Sequence, residues 1–411
     1  MRRPLAITLT ISAALSLVAG SIEAILVRHD LPAEAFVADP ADLAAVGWLD
    51  ERLESVLVAP RWALTAAHGV EAVGPFDRPH LTFPVGCYRV VGVVLHPQWE
   101  GGWPRPWEIH DLALLYLDRP VAGVGPIPLY RRTDELGRTA TLAGRGKLGT
   151  GLTGPEGDKG EAFRRATNRI DSLSDTTLFL IFDDPESATE LEGAGAPGDS
   201  GGPLFLDHDG RRLLAGISSA GTGMKGVSQG RYGTVDLYVR VSAFSSWIDG
   251  VIGAEAPTTG WSWADPTFAP GQPEAWSAPR PLADGWPSSP AADLARDFFA
   301  AYAERTLAAL EGFYSRHGEP GTDAAAKARR LQQGLREPYG PLEPIATAAR
   351  SEGEIGVLAH SPQDASWISL GFAVDPRPPH RLQRLYMKRE RDPREPPRCG
   401  AGAPWRRSDG G

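Results

Sequence analysis

Gly198-Asp199-Ser200-Gly201-Gly202-Pro203 is the stretch on which the reading of this chain turns. A serine set among glycines and followed by a proline describes a tight turn with an exposed hydroxyl. Two stretches precede it in order: Leu64-Thr65-Ala66-Ala67-His68 and Asp111-Leu112-Ala113-Leu114-Leu115. A serine hydroxyl is a poor nucleophile at neutral pH. It needs a neighbouring base, and that base needs a fixed tautomer. The three stretches supply these parts: Ser200 to attack a carbonyl, His68 to take its proton, and Asp111 to orient the imidazole and stabilise the imidazolium. The glycines leave room for the backbone N–H groups of Gly198 and Ser200 to face a developing oxyanion.

Working outward, the bulk numbers set limits. At 411 residues two or three domains are expected. A hydrophobic content of 42% supports a large core, and a net charge of −9 argues against nucleic-acid binding as the main task. No glycine-rich nucleotide loop is present. Residues 1–24 read as an export signal: Arg2 and Arg3, then an uncharged, mainly apolar run from Leu5 to Ala19 that is short for a stable membrane span. Cleavage after Gly20 and cleavage after Ala24 both fit. The mature protein is therefore expected to be secreted or periplasmic. That compartment permits disulfides, yet only Cys87 and Cys399 exist. Two free thiols are the first expectation, and a Cys87–Cys399 bridge the second.

Residues 25–253 carry many short β-type runs between Gly and Pro, among them Ser55–Val58, Arg89–Leu95, Asp111–Leu117, Leu178–Phe182, Leu213–Ile217 and Leu237–Val241. A short helix over Phe244–Asp249 closes them. Residues 254–290 are rich in Pro, Gly, Ala and Ser and read as a linker, although Trp261, Trp263, Trp276 and Trp286 call for some packing against a surface. Residues 291–389 read as a small α+β accessory domain. One long helix carries Leu294, Phe298, Tyr302, Leu307, Leu310 and Tyr314 mostly on one face. A second starts at Asp323, and strands follow over Ile355–Ala359, Trp367–Val374 and Arg381–Lys388. Residues 390–411 read as a disordered basic tail.

Residues 25–250 resemble trypsin/chymotrypsin-like serine peptidases. The resemblance rests on Trp62, on the His68, Asp111 and Ser200 stretches, and on Tyr238-Val239-Arg240-Val241 with Trp247-Ile248. It implies a mainly β fold of two six-stranded β-barrels, His68 and Asp111 coming from the first and Ser200 from the second. It also implies a secreted serine endopeptidase acting on proteins or peptides, with no cofactor, metal or nucleic-acid partner. The G-x-S-x-G elbow of α/β-hydrolases fits the serine turn alone. That fold needs its acid and histidine after the serine, and here both precede it.

Departures from the family pattern concern the surroundings. The cysteine expected after the histidine is Gly69, and its partner position is Leu53. The specificity-pocket disulfide and the calcium loop are absent as well. His110 stands before Asp111 and is read as a packing residue. The resemblance places Ala194 where trypsin has its pocket aspartate, Ser219-Ala220-Gly221 as the stretch that pairs with substrate backbone and leaves the pocket mouth open, and Asp236 on the third pocket wall. A carboxylate at Asp236 would suit Lys or Arg; the alternative is that it turns outward or pairs with Arg231 or Arg240, leaving an apolar pocket. The resemblance also implies an activating ion pair between Asp199 and a freed Ile25 amino terminus, which cleavage after Ala24 would create. A non-catalytic binding protein on the same fold is the competing function, and the 291–389 module is either a targeting element or a spacer.

Overall fold

The computed structural model describes residues 25–50, 53–70, 79–99, 108–159, 162–222, 229–253, 279–390 and 392. The expected signal segment, most of the expected linker with Trp261, Trp263 and Trp276, and the tail with Cys399 lie outside the described residues.

The first half of the expected peptidase region is a closed six-stranded antiparallel barrel. Its strands are Val46–Leu49, Leu53–Ala59, Trp62–Thr65, His80–Phe83, Gly86–Leu95 and Ala113–Leu117. Closure removes the open edges that a free sheet would expose. Leu57, Ala63, Leu81, Phe83 and Leu115 are fully or almost fully buried in its centre. The strand Ala113–Leu117 is buried at every position, which accounts for its unbroken apolar sequence.

The second half departs from the expected six-stranded ring. It is a seven-stranded sheet in the order Arg164–Arg169, Thr139–Gly144, Pro203–His208, Arg211–Thr222, Val235–Arg240, Thr177–Ile181 and Ser172–Leu173. A four-stranded sheet accompanies it, in the order Gly154–Lys159, Lys147–Thr150, Ile25–Val27 and Gly193–Ala194. Among the described residues an isolated bridge, Thr167–Glu192, joins the seven-stranded sheet to the residue before Gly193–Ala194, and no continuous ladder links the two sheets. The fold is mainly β and chymotrypsin-like, a closed barrel beside a half-barrel. The helix Val241–Gly253 follows, longer than expected at both ends, with Val241, Phe244 and Ile248 buried at spacings of three and four.

Further along, a five-stranded antiparallel sheet runs in the order Arg280–Pro281, Glu343–Ser351, Glu354–His360, Trp367–Val374 and Leu382–Glu390. Strand pairing thus begins at Arg280, inside the stretch read as linker, and Trp286 packs on Phe299 at 6.1 Å. The helices Pro290–Ala303, Leu307–His317 and Ala324–Leu331 accompany the sheet. The helix expected as one piece is two. Arg305 adopts φ +59°, and the Thr306 side chain caps the new start by accepting from Ala309 N at 3.1 Å. Asp323 caps the third helix as expected, accepting from Ala326 N at 2.9 Å. Phe298 reaches the sheet at Phe372, with ring centroids 5.2 Å apart. The strand Glu343–Ser351 was not anticipated, because its Pro and Ala residues are poor strand formers.

Cys87 is disulfide-bonded, which overturns the free-thiol expectation for it. No helix among the described residues is long and apolar enough to cross a membrane.

Candidate active site

His68 and Asp111 are brought together by one strand pair. Trp62–Thr65 and Ala113–Leu117 are hydrogen-bonded neighbours in the closed barrel, with Thr65 opposite Ala113. His68 follows the first strand on a short helical turn, Ala67–Gly69, and Asp111 stands two residues before the second. Asp111 is fully buried. Its Oδ1 accepts the backbone N–H of His68 at 2.7 Å, and its Oδ2 lies 2.7 Å from His68 Nδ1. With Nδ1 thus donating, Nε2 is left as an acceptor, and Ser200 Oγ lies 3.0 Å from it.

Ser200 sits in the loop between the strands Gly193–Ala194 and Pro203–His208. The glycines of this turn have steric causes. Gly201 has φ +79°, and a Cβ there would lie 2.1 Å from the carbonyl oxygen of Glu54. A Cβ on Gly202 would come within 2.4 Å of Glu54 Oε2. Gly198 adopts φ +111°. Among the described residues no partner takes up the N–H of Gly198 or of Ser200, while Asp199, Gly201 and Gly202 donate within the fold. Two free donors beside a nucleophile suit an oxyanion.

Asp199 is buried, and its carboxylate accepts from Gly146 N and, at 2.8 Å, from Ala196 N. Gly144 and Gly146 make room for it, since a Cβ on Gly144 would lie 2.2 Å from Asp199 Oδ1. Ile25 is fully buried in the strand between Lys147–Thr150 and Gly193–Ala194, with Leu26 opposite Ala194. Its φ of +65° is a strained value for a β-branched residue.

Asp236 and Tyr238 lie on one strand, Val235–Arg240, with Gly221 opposite Asp236 and Ser218 opposite Tyr238. Asp236 is buried, and its carboxylate accepts the backbone N–H of Gly195. Neither suggested arginine meets it: Arg240 makes a two-pronged contact with Glu135 at 3.0 and 2.8 Å, and Arg231 donates to Leu152 O. Among the described residues no cation faces Asp236. Burial pushes its carboxyl up to about 7, with the nearby Asp199 carboxylate adding to the effect and the Gly195 N–H opposing it. Ala194 is buried against Leu26, Phe182 and Ala196.

The Ser219 side chain has a role that the sequence reading did not assign to it. Its hydroxyl donates to Asp111 Oδ2 at 2.6 Å, a support for the histidine partner that leaves the expected backbone pairing of 219–221 with substrate untouched. Glu54, fully buried beside the Ser200 turn, was not singled out from sequence, since it reads there as an ordinary polar residue in a strand. His110 stacks on His96 at 5.4 Å and meets Phe244 edge-on, the packing role expected of it. In the space a lost cysteine pair would occupy, a Cβ on Gly69 would lie 2.5 Å from the Leu53 side chain, so Leu53 fills the gap. Among the described residues no group of three or more His, Cys, Asp or Glu side chains is placed to hold a metal ion.

A barrel and half-barrel that meet around a Ser–His–Asp relay define a class, the trypsin/chymotrypsin-like serine peptidases. Residues 54–248 match the trypsin family model, and the chain carries a peptidase segment of that family. Serine protease 56 of Mus musculus is 30% identical over 217 residues, covering 47% of this chain and 33% of the relative. Serine protease 56 of Homo sapiens is 30% identical over 216 residues with the same coverage, 47% and 33%. This chain therefore spans about a third of the length of the curated relatives it matches. Among solved structures, neuropsin, a serine protease expressed in the limbic system of mouse brain, aligns with a TM-score of 0.42 and 22% identity over 53% of this chain and 98% of its own. A mutant of human heparin binding protein aligns with a TM-score of 0.41 and 20% identity over 55% and 98%.

Proposed function

We propose that this chain is an exported serine endopeptidase that cleaves peptide bonds through an acyl-enzyme. The observation that carries the reading is the unbroken relay from buried Asp111 through His68 to Ser200, with hydrogen bonds of 2.7 and 3.0 Å. Ser200 Oγ attacks the scissile carbonyl while His68 Nε2 takes its proton. The oxyanion meets the N–H groups of Gly198 and Ser200. The tetrahedral intermediate collapses, His68 gives its proton to the leaving amine, and water repeats the cycle on the ester. Degenerate, purely binding versions of such a site would be expected to lose a member of the relay, and this one retains all three.

Substrate preference is read from Asp236. Among the described residues no cation faces this buried carboxylate, which is a costly state, and a Lys or Arg side chain of the substrate would supply a partner. Activation is read from Ile25. A β-branched residue at φ +65° is strained only while a preceding peptide defines that angle. Cleavage after Ala24 removes the strain and frees an ammonium group that, as in the family the segment resembles, would pair with the buried Asp199 carboxylate.

The deciding experiment is fluorophosphonate labelling of the purified mature protein beside Ser200→Ala, with intact mass on both. Stoichiometric labelling lost in the variant, on a chain starting at Ile25, is the expected result. A folded, unlabelled wild type would overturn the peptidase reading. Active material starting at Ser21 or beyond Ile25 would overturn the activation reading alone.

A further inference from the structure

We propose that Glu54 is a positioning residue for the oxyanion turn, gripping from the closed barrel the loop that holds Asp199. The inference rests on the peptidase reading above and adds a component that the catalytic relay does not contain.

Glu54 is a fully buried carboxylate on the strand Leu53–Ala59. A charge so placed is retained only where hydrogen bonds compensate its desolvation. Beyond its place opposite Trp48 in the barrel ladder, Glu54 makes three hydrogen bonds that face the catalytic turn or its supports. Its N–H donates to the carbonyl of Ser200 at 2.9 Å. Its carbonyl accepts from Thr65 Oγ1 at 2.6 Å. Its Oε1 accepts the backbone N–H of Arg145 at 2.6 Å. The next N–H along the chain, that of Gly146, goes to Asp199. Two successive peptide N–H groups are thus held by two carboxylates, one from the closed barrel and one from the residue preceding the nucleophile.

The surroundings leave little slack. Glu54 Oε2 lies against Gly202, where a Cβ would come within 2.4 Å of it. The Arg145 guanidinium is anchored over the Trp48 ring, 3.8 Å from its centroid. A shift of the 144–146 loop would therefore be transmitted to Asp199, and through it to the Gly198 and Ser200 N–H groups. Those donors act mainly in the transition state, so misplacing them lowers kcat more than it raises KM.

The test uses variants that separate reach, charge and hydrogen-bond acceptance in the full chain. Glu54→Gln keeps length and an acceptor oxygen but loses the charge. Glu54→Met keeps length but loses the acceptor. Glu54→Asp keeps the charge but falls a methylene short of Arg145 N–H. kcat and KM are measured on a peptide amide, with affinity for a peptide boronate that forms a tetrahedral adduct. Expected are a kcat lowered about 10-fold to 100-fold in Glu54→Met and Glu54→Asp, a KM within about 3-fold, and boronate affinity falling in step with kcat. Glu54→Gln is expected within about 3-fold of wild type. Should Met or Asp fail to fold, the other carries the test. Wild-type kcat in the folded acceptor-free variant overturns the proposal, as does a Gln variant as impaired as it. A wild type that neither labels with fluorophosphonate nor turns over fails the peptidase reading itself, and the inference falls with it; an active wild type matched by Glu54→Met overturns the inference alone.

Discussion

Ser219 Oγ donates to Asp111 Oδ2 at 2.6 Å, the same oxygen that meets His68 Nδ1. Asp111 is therefore held by a hydroxyl from the half-barrel while it orients a histidine from the closed barrel. Charge-assisted bonds of this kind are worth about 1.5–3 kcal/mol. Ser219→Ala should lower kcat/KM by about 10-fold and stability by about 1.5–3 kcal/mol. Steady-state kinetics on one peptide substrate, beside a thermal melt, checks both parts.

The proposed Lys or Arg preference through Asp236 is expected to depend on pH. Its carboxyl is raised to about 7, so it is largely neutral in the free enzyme below that pH and charged above it. The ratio of kcat/KM for a Lys substrate to that for its Leu counterpart should rise as pH increases from 6 to 8, and titration of His68 cancels in the ratio. Asp236→Asn should flatten this dependence and reduce the ratio about 100-fold at pH 8. The sign for folding is opposite. A carboxyl raised above its unfolded value contributes stability below about pH 4 that is lost as pH rises through 7, so the Asn variant should be relatively more stable in alkaline buffer.

His96 links acid to unfolding. It is buried, stacked on His110 and edge-on to Phe244 and Trp247. Burial first and the His110 charge second lower it to about 4. A histidine held below its unfolded value contributes stability above pH 6.5 that is lost as pH falls toward 4, about 3 kcal/mol in all. Urea unfolding at pH 7 and pH 4.5 should show the loss, and His96→Phe should remove much of this group's share.

Gly201 tolerates no side chain. Its φ of +79° and the 2.1 Å approach of a Cβ to the backbone of Glu54 leave rigid backbone as the obstacle. Gly201→Ala should abolish fluorophosphonate labelling and lower stability by about 3 kcal/mol or more. Wild-type labelling in the folded variant would contradict this geometry.

Much of the relay was legible because catalysis demands residue types in fixed local frames. Ser200 needs glycines around it, His68 must leave a strand at one turn, and Asp111 must enter one, so each writes a short pattern. The β character of residues 25–253, the helix after them and the last three strands followed from hydrophobic runs and alternation, and the barrel architecture from the family resemblance. The helix break at Arg305 was not legible, because a positive φ on an arginine has no sequence signature. The side-chain role of Ser219 was hidden because Asp111 is 108 residues away. Glu54 was hidden for the same reason, its partner Arg145 being 91 residues distant.

The sequence by itself singled out Ser200, His68 and Asp111 as candidate nucleophile, base and acid and marked the β character of residues 25–253, because each is written in residues close together along the chain. Only the tertiary structure decided that Asp236 is buried while Arg231 and Arg240 turn to other partners, that Ser219 donates to Asp111, and that Glu54 and Asp199 hold successive N–H groups. Those are contacts between strands far apart in sequence, set by barrel register and burial, and no local pattern records which side chains such packing brings within hydrogen-bond reach.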